Sequence, residues 1–293
     1  MTFAQKYNNI KSSVQDELAI IENKLVEKIN IREPLNTSVK KFLTSPSKRI
    51  RPLLTILYLK AQNQTLNENQ LDMLSVIELI HNASLIHDDI IDECQIRRGQ
   101  KTINSEFDNK LGVISGDYFL AVAMEKLAQI GNVEIISKIS ETVKHMCIGE
   151  VNQYFDKFKV GTIEDYIEKT KNKTAYLFET ALVCTAMLGD FSYDKNDLSE
   201  FGLNFGIAFQ IRDDILNFLN SDNSKPVHND LKEGIYNAPV ILGQESDDYS
   251  SGIEKTKHLL NNYIEKSNRQ LKKLPDSRYK TLLKELLELI NNV

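Results

Sequence analysis

Residues 78–99 read ELIHNASLIHDDIIDECQIRRG, and the acidic stretch within them, 88–92, is the most informative part of the chain. Positions four apart lie one above the other on a helix, so Asp88 and Asp92 point the same way, with Asp89 beside them. Like charges at this spacing repel by roughly 0.2–0.5 kcal/mol per pair. Carboxylate oxygens are ligands that Mg²⁺ prefers. The stretch therefore predicts a helix that holds a metal ion, and the apolar residues at 85, 86, 90 and 91 predict that this helix is largely buried.

A second acidic stretch, Asp213-Asp214-Ile215-Leu216-Asn217, repeats this arrangement, and Gln210 extends its polar face by one turn. Basic residues accompany the first stretch: Lys48-Arg49-Ile50-Arg51 lies upstream, and Arg97-Arg98 lies downstream. Arginine presents a planar fork to phosphate oxygens, and lysine a point charge. Metal ligands and cations together indicate a phosphorylated substrate.

Each of these motifs has an ordinary interpretation when it is taken alone. An acidic pair or an arginine pair is usually a solvated helix face, and a lone histidine such as His81 is usually a satisfied core or surface group. Glu78 and His81 also match the Glu-x-x-His element of di-iron bundles, but that site needs a second such element, which the sequence lacks. The combination of motifs favours a functional site.

Composition restricts the class of protein. The 293 residues are 41% apolar and carry a net charge of −5, which argues against a nucleic-acid partner because such proteins present a basic face. The three cysteines, Cys94, Cys147 and Cys184, have no metal-site or disulfide spacing. No signal sequence and no run of about 18 apolar residues is present. We therefore expect a soluble, cytoplasmic protein without stable membrane insertion.

Apolar residues recur at three- and four-residue spacing almost throughout, which predicts an all-α fold. No linker or repeat separates two halves, so we expect a single domain, 1–293, with sites built between facing helices. The predicted helices are 3–29, 35–44, 51–62, 68–93, 109–131, 133–154, 163–187, 195–218, 238–244, 250–273 and 277–292. Turns are predicted between them, including the segments 95–104 and 220–236.

Residues 78–99 resemble the first aspartate-rich region of the trans-polyprenyl (isoprenyl) diphosphate synthases, and the resemblance covers nearly the whole chain. Its further markers follow in order: Lys-Arg-x-Arg-Pro at 48–52, Gly-Asp-Tyr at 116–118, Gly-Glu-x-x-Gln at 149–153, Lys-Thr at 173–174, Phe-Gln-x-x-Asp-Asp at 209–214 and Asp-Leu-Lys-Glu-Gly at 230–234. Medium- and long-chain bacterial synthases, such as the catalytic component of heptaprenyl diphosphate synthase, are the most similar in pattern. The resemblance implies a bundle of about ten or more helices around a central cavity.

The resemblance also implies a role for each matching residue. Asp88, Asp92 and Asp213 would be the main ligands of three Mg²⁺ ions, with Asp89 and Asp214 supporting them. The allylic diphosphate would contact Arg97, Lys173, Thr174, Gln210 and Lys225. Isopentenyl diphosphate would contact Lys48, Arg51, His81 and Arg98. The protein would be a homodimer, or a heteromer with a small regulatory subunit.

Three departures from the family pattern keep a second function open. Pro46-Ser47 replaces the usual Gly-Gly, Asn217 ends the second acidic stretch, and Ile235 stands where the family has a lysine, after a shortened segment. A weakly active or non-catalytic subunit of a hetero-oligomeric synthase is therefore the alternative to a catalytic enzyme. A terpene cyclase is disfavoured, because it does not need the isopentenyl-binding residues.

Chain length is predicted from the residues that precede the first acidic stretch. In the family, large aromatic side chains at the places of Ala83 and Ser84 close the elongation cavity, whereas these two are small. Ile80 and Val76 would set the next limits, because one helical turn of about 5.4 Å matches one isoprene unit. The sequence thus predicts a product longer than C20, of C30 to C40, of the kind that becomes a quinone side chain. A C15–C20 product is the alternative.

Overall fold

The computed structural model describes residues 2–219, 231, 233–243 and 249–293. In chain order its elements are α1 (Phe3–Ser12), α2 (Gln15–Val26), α3 (Leu35–Thr44), α4 (Ile50–Ala61), α5 (Glu68–Ile91), β1 (Ile96–Arg97), β2 (Gln100–Lys101), α6 (Ile103–Glu106), α7 (Asn109–Ile130), α8 (Val133–Phe155), α9 (Ile163–Thr170), a π-helical turn (Lys171–Ala175), α10 (Tyr176–Ala186), α11 (Lys195–Leu219), α12 (Ala238–Leu242), α13 (Ser250–Leu271) and α14 (Arg278–Asn291). The prediction of an all-α fold is confirmed.

Three predicted segments differ from the structure. The predicted helix 3–29 is broken after Ser12, because the fully buried Val14 leaves helical geometry (φ −137°), and α2 begins at Gln15. The predicted helix 163–187 is interrupted by the π-helical turn. The predicted turn 95–104 contains the β1–β2 hairpin and the start of α6. Spacing of apolar residues does not reveal such short interruptions.

The chain divides into two compact units. Unit 1 comprises Met1–Ile10, Lys138–Val183 and Ser192–Val293, and unit 2 comprises Lys11–Ser137 and Cys184–Phe191. The prediction of one domain over 1–293 stays a prediction. None of the helices in the described ranges is long and apolar enough to cross a membrane.

In unit 2, helix α5 is the central element. Its start is fixed by a capping box, in which Asn67 and Gln70 each accept a hydrogen bond from the other's backbone N–H. Helix α7 approaches α5 closely through two glycines. A Cβ on Gly112 would lie 2.7 Å from Cδ1 of Ile90, and one on Gly116 would collide with the ring of His87. These glycines therefore set the distance between the two helices.

Unit 1 contains a similar close approach. A Cβ on Gly202 would lie 2.6 Å from Cα of Glu179, and one on Gly206 would lie 2.6 Å from Cα of Ala175. Helix α11 therefore packs directly against the π-helical turn and α10. Phe178 and Phe205 pack there with ring centroids 5.4 Å apart, and both are fully buried. Burial of one such ring stabilises the fold by roughly 1.5–3 kcal/mol.

Candidate active site

The first acidic stretch lies at the C-terminal end of α5. Asp88 is half-buried in the last turn, and Asp92 is exposed at the C-cap. The Asp92 backbone N–H donates to the Asp88 carbonyl at 2.8 Å, so the two residues stay one helical turn apart. The C-terminal end of a helix carries partial negative charge, and an added carboxylate there costs about 0.3–1 kcal/mol. This placement favours a bound cation.

Asp89 differs from its neighbours because it is almost fully buried, at 1% exposure. Its Oδ1 accepts a hydrogen bond from Nε of Arg97 at 2.6 Å. Burial raises the pKa of Asp89, and the nearby Arg97 guanidinium opposes that rise. The carboxylate of Asp89 therefore holds Arg97 in place.

Arg97 and Arg98 are directed to different partners by a tight hairpin. Arg97 pairs with Gln100 across the two strands, and Arg98 (φ 52°) and Gly99 (φ 73°) form the turn. Two left-handed residues are what a type I′ turn requires. The Arg98 guanidinium lies 5.8 Å from the centroid of the Phe42 ring and 3.5 Å from Oγ of Ser45. The turn thus directs the side chains of two consecutive arginines to different partners.

Arg98 belongs to a group of cationic residues in unit 2 that surrounds His81. Burial lowers the pKa of His81 well below its usual value, and the charges of Arg51 and Arg98 lower it further. Arg51 is buried, and His81 and Arg98 are half-buried. Lys48 is exposed. Three of the four residues predicted to bind isopentenyl diphosphate are therefore electrostatically coupled, and an anion would relieve their mutual repulsion.

Arg49, in the same basic stretch, has a different role. It begins α4 in a left-handed conformation (φ 50°) and is buried. Its Nη1 donates to Oε2 of Glu78 at 2.9 Å, and its Nη2 donates to the Leu43 carbonyl. Glu78 is therefore the partner of Arg49 in a buried ion pair. This role accounts for the glutamate of the Glu-x-x-His pattern at residues 78–81.

The second acidic stretch lies on α11 in unit 1 and shows the same division between its two aspartates. Asp213 is half-buried, whereas Asp214 is 3% exposed. Asp214 accepts hydrogen bonds from the Tyr166 hydroxyl at 2.7 Å and from Nε2 of Gln210 at 2.9 Å. Oε1 of Gln210 in turn accepts from the Thr174 hydroxyl at 2.9 Å. Asp214 therefore joins a continuous network from Thr174 to Tyr166.

Lys173 lies in the π-helical turn, where the Gly-Glu-x-x-Gln marker of α8 supports it. Its Nζ lies 2.7 Å from Oε1 of Glu150 and donates to Oε1 of Gln153 at 3.0 Å. A Cβ on Gly149 would lie 2.7 Å from Cγ of Lys173. The glycine therefore leaves room for the lysine stem while the other two residues bind its ammonium group.

Sequence reasoning missed the partners of three site residues. The sequence assigns Arg97 to substrate but does not predict its bond to Asp89. It predicts neither the hydrogen bond from Tyr166 to Asp214 nor the two partners of Lys173, although the marker at 149–153 indicates a feature there. Lys225 lies outside the described residues.

The residues predicted to set chain length fall on two faces of α5. Ser84 is half-exposed, as are His81, Leu85 and Asp88, and this spacing places all four along one stripe. Ala83 and Ile80 are buried, at 0% and 3% exposure. Ala83 precedes His87 by one turn and therefore lies on the row of α5 that faces α7.

The donor set fits a hard divalent cation. Across residues 2–219, 231, 233–243 and 249–293, no three His, Cys, Asp or Glu side chains form a group that could hold a metal ion. Mg²⁺ is commonly bound by one or two carboxylates, with water and substrate phosphates completing its shell. Each acidic stretch offers that kind of partial, all-oxygen site.

Comparison with known proteins identifies the family of the chain. A family model described as polyprenyl synthetase matches residues 32–279. A prenyl transferase of Cyanophora paradoxa is 32% identical, over 94% of this chain and 95% of that protein. The mitochondrial solanesyl-diphosphate synthase 1 of Oryza sativa subsp. japonica is 30% identical, over 90% of this chain and 72% of that protein. The crystal structure of heptaprenyl diphosphate synthase from Staphylococcus aureus has a TM-score of 0.88 at 26% identity, over 96% of this chain and 98% of that one. The chain therefore belongs to the polyprenyl synthetase family and is a prenyltransferase.

Proposed function

We propose that this protein condenses isopentenyl diphosphate with an allylic diphosphate of the farnesyl or geranylgeranyl type, with Mg²⁺, to give a trans-polyprenyl diphosphate longer than C20. One observation carries the proposal. In each acidic stretch the second aspartate is buried and bound by a protein group, whereas the first is more accessible. Asp88 and Asp213 are thus the side chains suited to metal, and Asp89 and Asp214 position the residues around them.

The first step breaks the bond between the allylic carbon and its diphosphate oxygen. The electron pair leaves with diphosphate, and the chain becomes a carbocation. Bound Mg²⁺ supplies a Lewis acid for the leaving diphosphate. Arg97 and Lys173 are both held by carboxylates and donate to the oxygens on which negative charge develops. Asp92 would complete the metal ligands of the first stretch.

The second step joins the two substrates. The double bond of isopentenyl diphosphate attacks the carbocation, and a proton is then lost from the adduct to the released diphosphate, so no protein base is needed. Lys48, Arg51 and Arg98 would bind the isopentenyl diphosphate group. His81 has a depressed pKa and is neutral near pH 7, so it contributes a hydrogen bond and no charge. The proposal also requires apolar surroundings that exclude water from the carbocation.

Two observations support a long product. The relatives from Staphylococcus aureus and Oryza sativa are named for heptaprenyl and solanesyl products. Ser84 is small and shares the accessible stripe of α5 with Asp88. A homodimer and a cytoplasmic location remain part of the proposal.

The test is incubation of the purified protein with Mg²⁺, farnesyl diphosphate and labelled isopentenyl diphosphate, followed by product sizing. We expect Mg²⁺-dependent label in products longer than C20. Products that stop at C15 or C20 would support the short-chain alternative. Absence of label in the isolated chain, with activity restored by a small partner subunit, would support the hetero-oligomeric alternative.

A further inference from the structure

The end of helix α8 and the segment after it present an unusual group of exposed rings. Tyr154, Phe155 and Phe158 are 67%, 68% and 68% exposed, and Val160 is 51% exposed. We call residues 154–160 the aromatic tip; all of them belong to unit 1. Single exposed apolar residues are common, but a contiguous exposed apolar group marks an interaction site.

The position of Phe158 is fixed by its backbone. Its φ of 62° is in the left-handed region, which a bulky residue rarely adopts. The Phe158 N–H donates to the Gly234 carbonyl at 2.8 Å, and a Cβ on Gly234 would lie 2.6 Å from Cγ of Phe158. The ring therefore rests on a glycine while most of its surface faces outward. Strained backbone that is held in this way is a reason to look for a function.

The charges of the aromatic tip indicate what it contacts. Lys157 and Lys159 flank Phe158, and Nζ of Lys159 lies 3.8 Å from Oδ1 of Asp156. With two lysines and one aspartate, the tip carries a net charge of +1 on a chain with a net charge of −5. Lysine is depleted at protein–protein interfaces. Aromatic rings interleaved with lysine are typical of segments that lie in the headgroup region of a membrane, where the cations attract anionic lipids. The alternation thus favours a lipid surface over a second copy of the chain.

We propose that the aromatic tip docks this protein on the surface of an anionic membrane. Tyr154 directly follows Gln153, which with Glu150 binds Lys173. A membrane at the tip would therefore lie next to the helical turn that holds a diphosphate-binding residue. A long apolar product could then enter lipid without crossing bulk water. This advantage of membrane docking rests on the proposed function.

The chain contains no Trp, so one introduced Trp reports only its own surroundings. The first experiment compares Phe155→Trp with Met124→Trp, since Met124 is also an exposed apolar residue, at 66%. Each variant is mixed with vesicles of phosphatidylcholine alone and of phosphatidylcholine with phosphatidylglycerol. We expect a blue shift of emission only for Phe155→Trp and mainly with the anionic vesicles. Equal shifts at both positions, or no shift at position 155, would overturn the proposal.

The second experiment measures sedimentation with the anionic vesicles and needs no substrate, so it is independent of the proposed function. Lys157→Gln and Lys159→Gln should each weaken vesicle binding about fivefold. Added salt should also weaken the binding of the parent protein, because it screens the lysines from the anionic lipids. Phe155→Ser should reduce binding to the background level, while the matched variant Met124→Ser binds like the parent protein. If Phe155→Ser instead leaves vesicle binding intact, or changes the oligomeric state without vesicles, the tip is not a membrane contact.

Discussion

Arg97 donates a hydrogen bond from Nε to the buried carboxylate of Asp89 at 2.6 Å, across the bend between α5 and the β1–β2 hairpin. The bond joins the acidic helix to the segment that carries both arginines. Arg97 is therefore positioned before any substrate binds, and its remaining N–H groups are available to contact diphosphate. Asp89 therefore has a positioning role, and substitutions can distinguish it from the metal-binding role proposed for Asp88.

Asp88→Ala should lower kcat on the order of 10²-fold, because it removes a metal ligand. Its free energy of unfolding should fall less than that of Asp89→Ala, because Asp88 is half-buried whereas Asp89 is almost fully buried. Urea unfolding and a Mg²⁺ titration of activity measure the two effects. Near-full activity of Asp88→Ala would rule out this residue as a ligand.

Asp89→Ala should mainly lower stability. Removal of one partner of a buried ion pair costs several kcal/mol, and we expect about 3 kcal/mol here because Arg97 is 26% exposed. Arg97 would also lose its orientation, so KM for the allylic substrate should rise. A stability equal to that of Asp88→Ala would contradict the buried pair.

Gly149→Ala should displace Lys173, because the new Cβ would lie 2.7 Å from Cγ of the lysine and 3.3 Å from its backbone N. We expect kcat/KM for the allylic substrate to fall on the order of 10²-fold, because a misplacement of about 1 Å at a positioning group can have an effect of that size. Gly161→Ala is the control, since its closest neighbour is Oδ2 of Asp165 at 3.3 Å and no atom of Lys173 lies near it. Steady-state kinetics that are identical for the two variants would mean that Lys173 does not bind substrate.

His81 predicts a pH dependence of stability. Its pKa is lowered in the folded state by burial and nearby arginines. Below about pH 6.5 the unfolded chain binds a proton that the folded chain does not, so stability falls as the pH falls through that value. Urea unfolding of His81→Gln should show a weaker loss between pH 7.5 and pH 5.5, whereas the exposed His258→Gln should follow the parent protein. A phosphate-bearing ligand at this site should reduce the loss.

Chain length is tested by two adjacent substitutions. Ser84→Phe places a ring on the accessible stripe below Asp88 and should shorten the product toward C15 or C20. The family pattern predicts that Ala83→Phe shortens it as well, but Ala83 is fully buried on the row that faces α7, so overpacking should also cost about 1–3 kcal/mol. Product sizing and thermal unfolding distinguish the two. Unchanged products from both variants would mean that another wall sets the length.

Ile235→Lys tests the departure from the family pattern. Ile235 is half-buried and follows Gly234, which is in a left-handed conformation. A lysine there should lower KM for the allylic substrate by adding one cationic contact. Ile235→Met is the uncharged control. A fall in activity for the lysine variant alone would show that this position faces away from phosphate.

The sequence predicted most of the helical frame because apolar spacing persists over many turns, as in α5 and α11. It also assigns roles to the two acidic stretches and to the basic residues, and those roles stay predictions. It did not predict the bond from Arg97 to Asp89, because that contact depends on a hairpin whose strands have two residues each. Nor could it pair Tyr166 with Asp214, which are 48 positions apart. Such partners depend on how the helices pack. The sequence alone does not give the rotation of each helix about its own axis.

The π-helical turn Lys171–Ala175 has a consequence for how this protein can vary. A π-helical turn holds more residues than the α-helical turn it replaces, so the segment is equivalent to an α-helix that has gained one residue. Deleting one residue there would restore regular α-helical geometry. The backbone alone would favour that change, because α-helical geometry is more stable than π-helical geometry. The same deletion would rotate one side of the turn against the other by about 100°. Thr174 would then leave Gln210, and Lys173 would leave Glu150 and Gln153. An insertion that local energetics disfavours is thus kept in place by contacts on both sides of it.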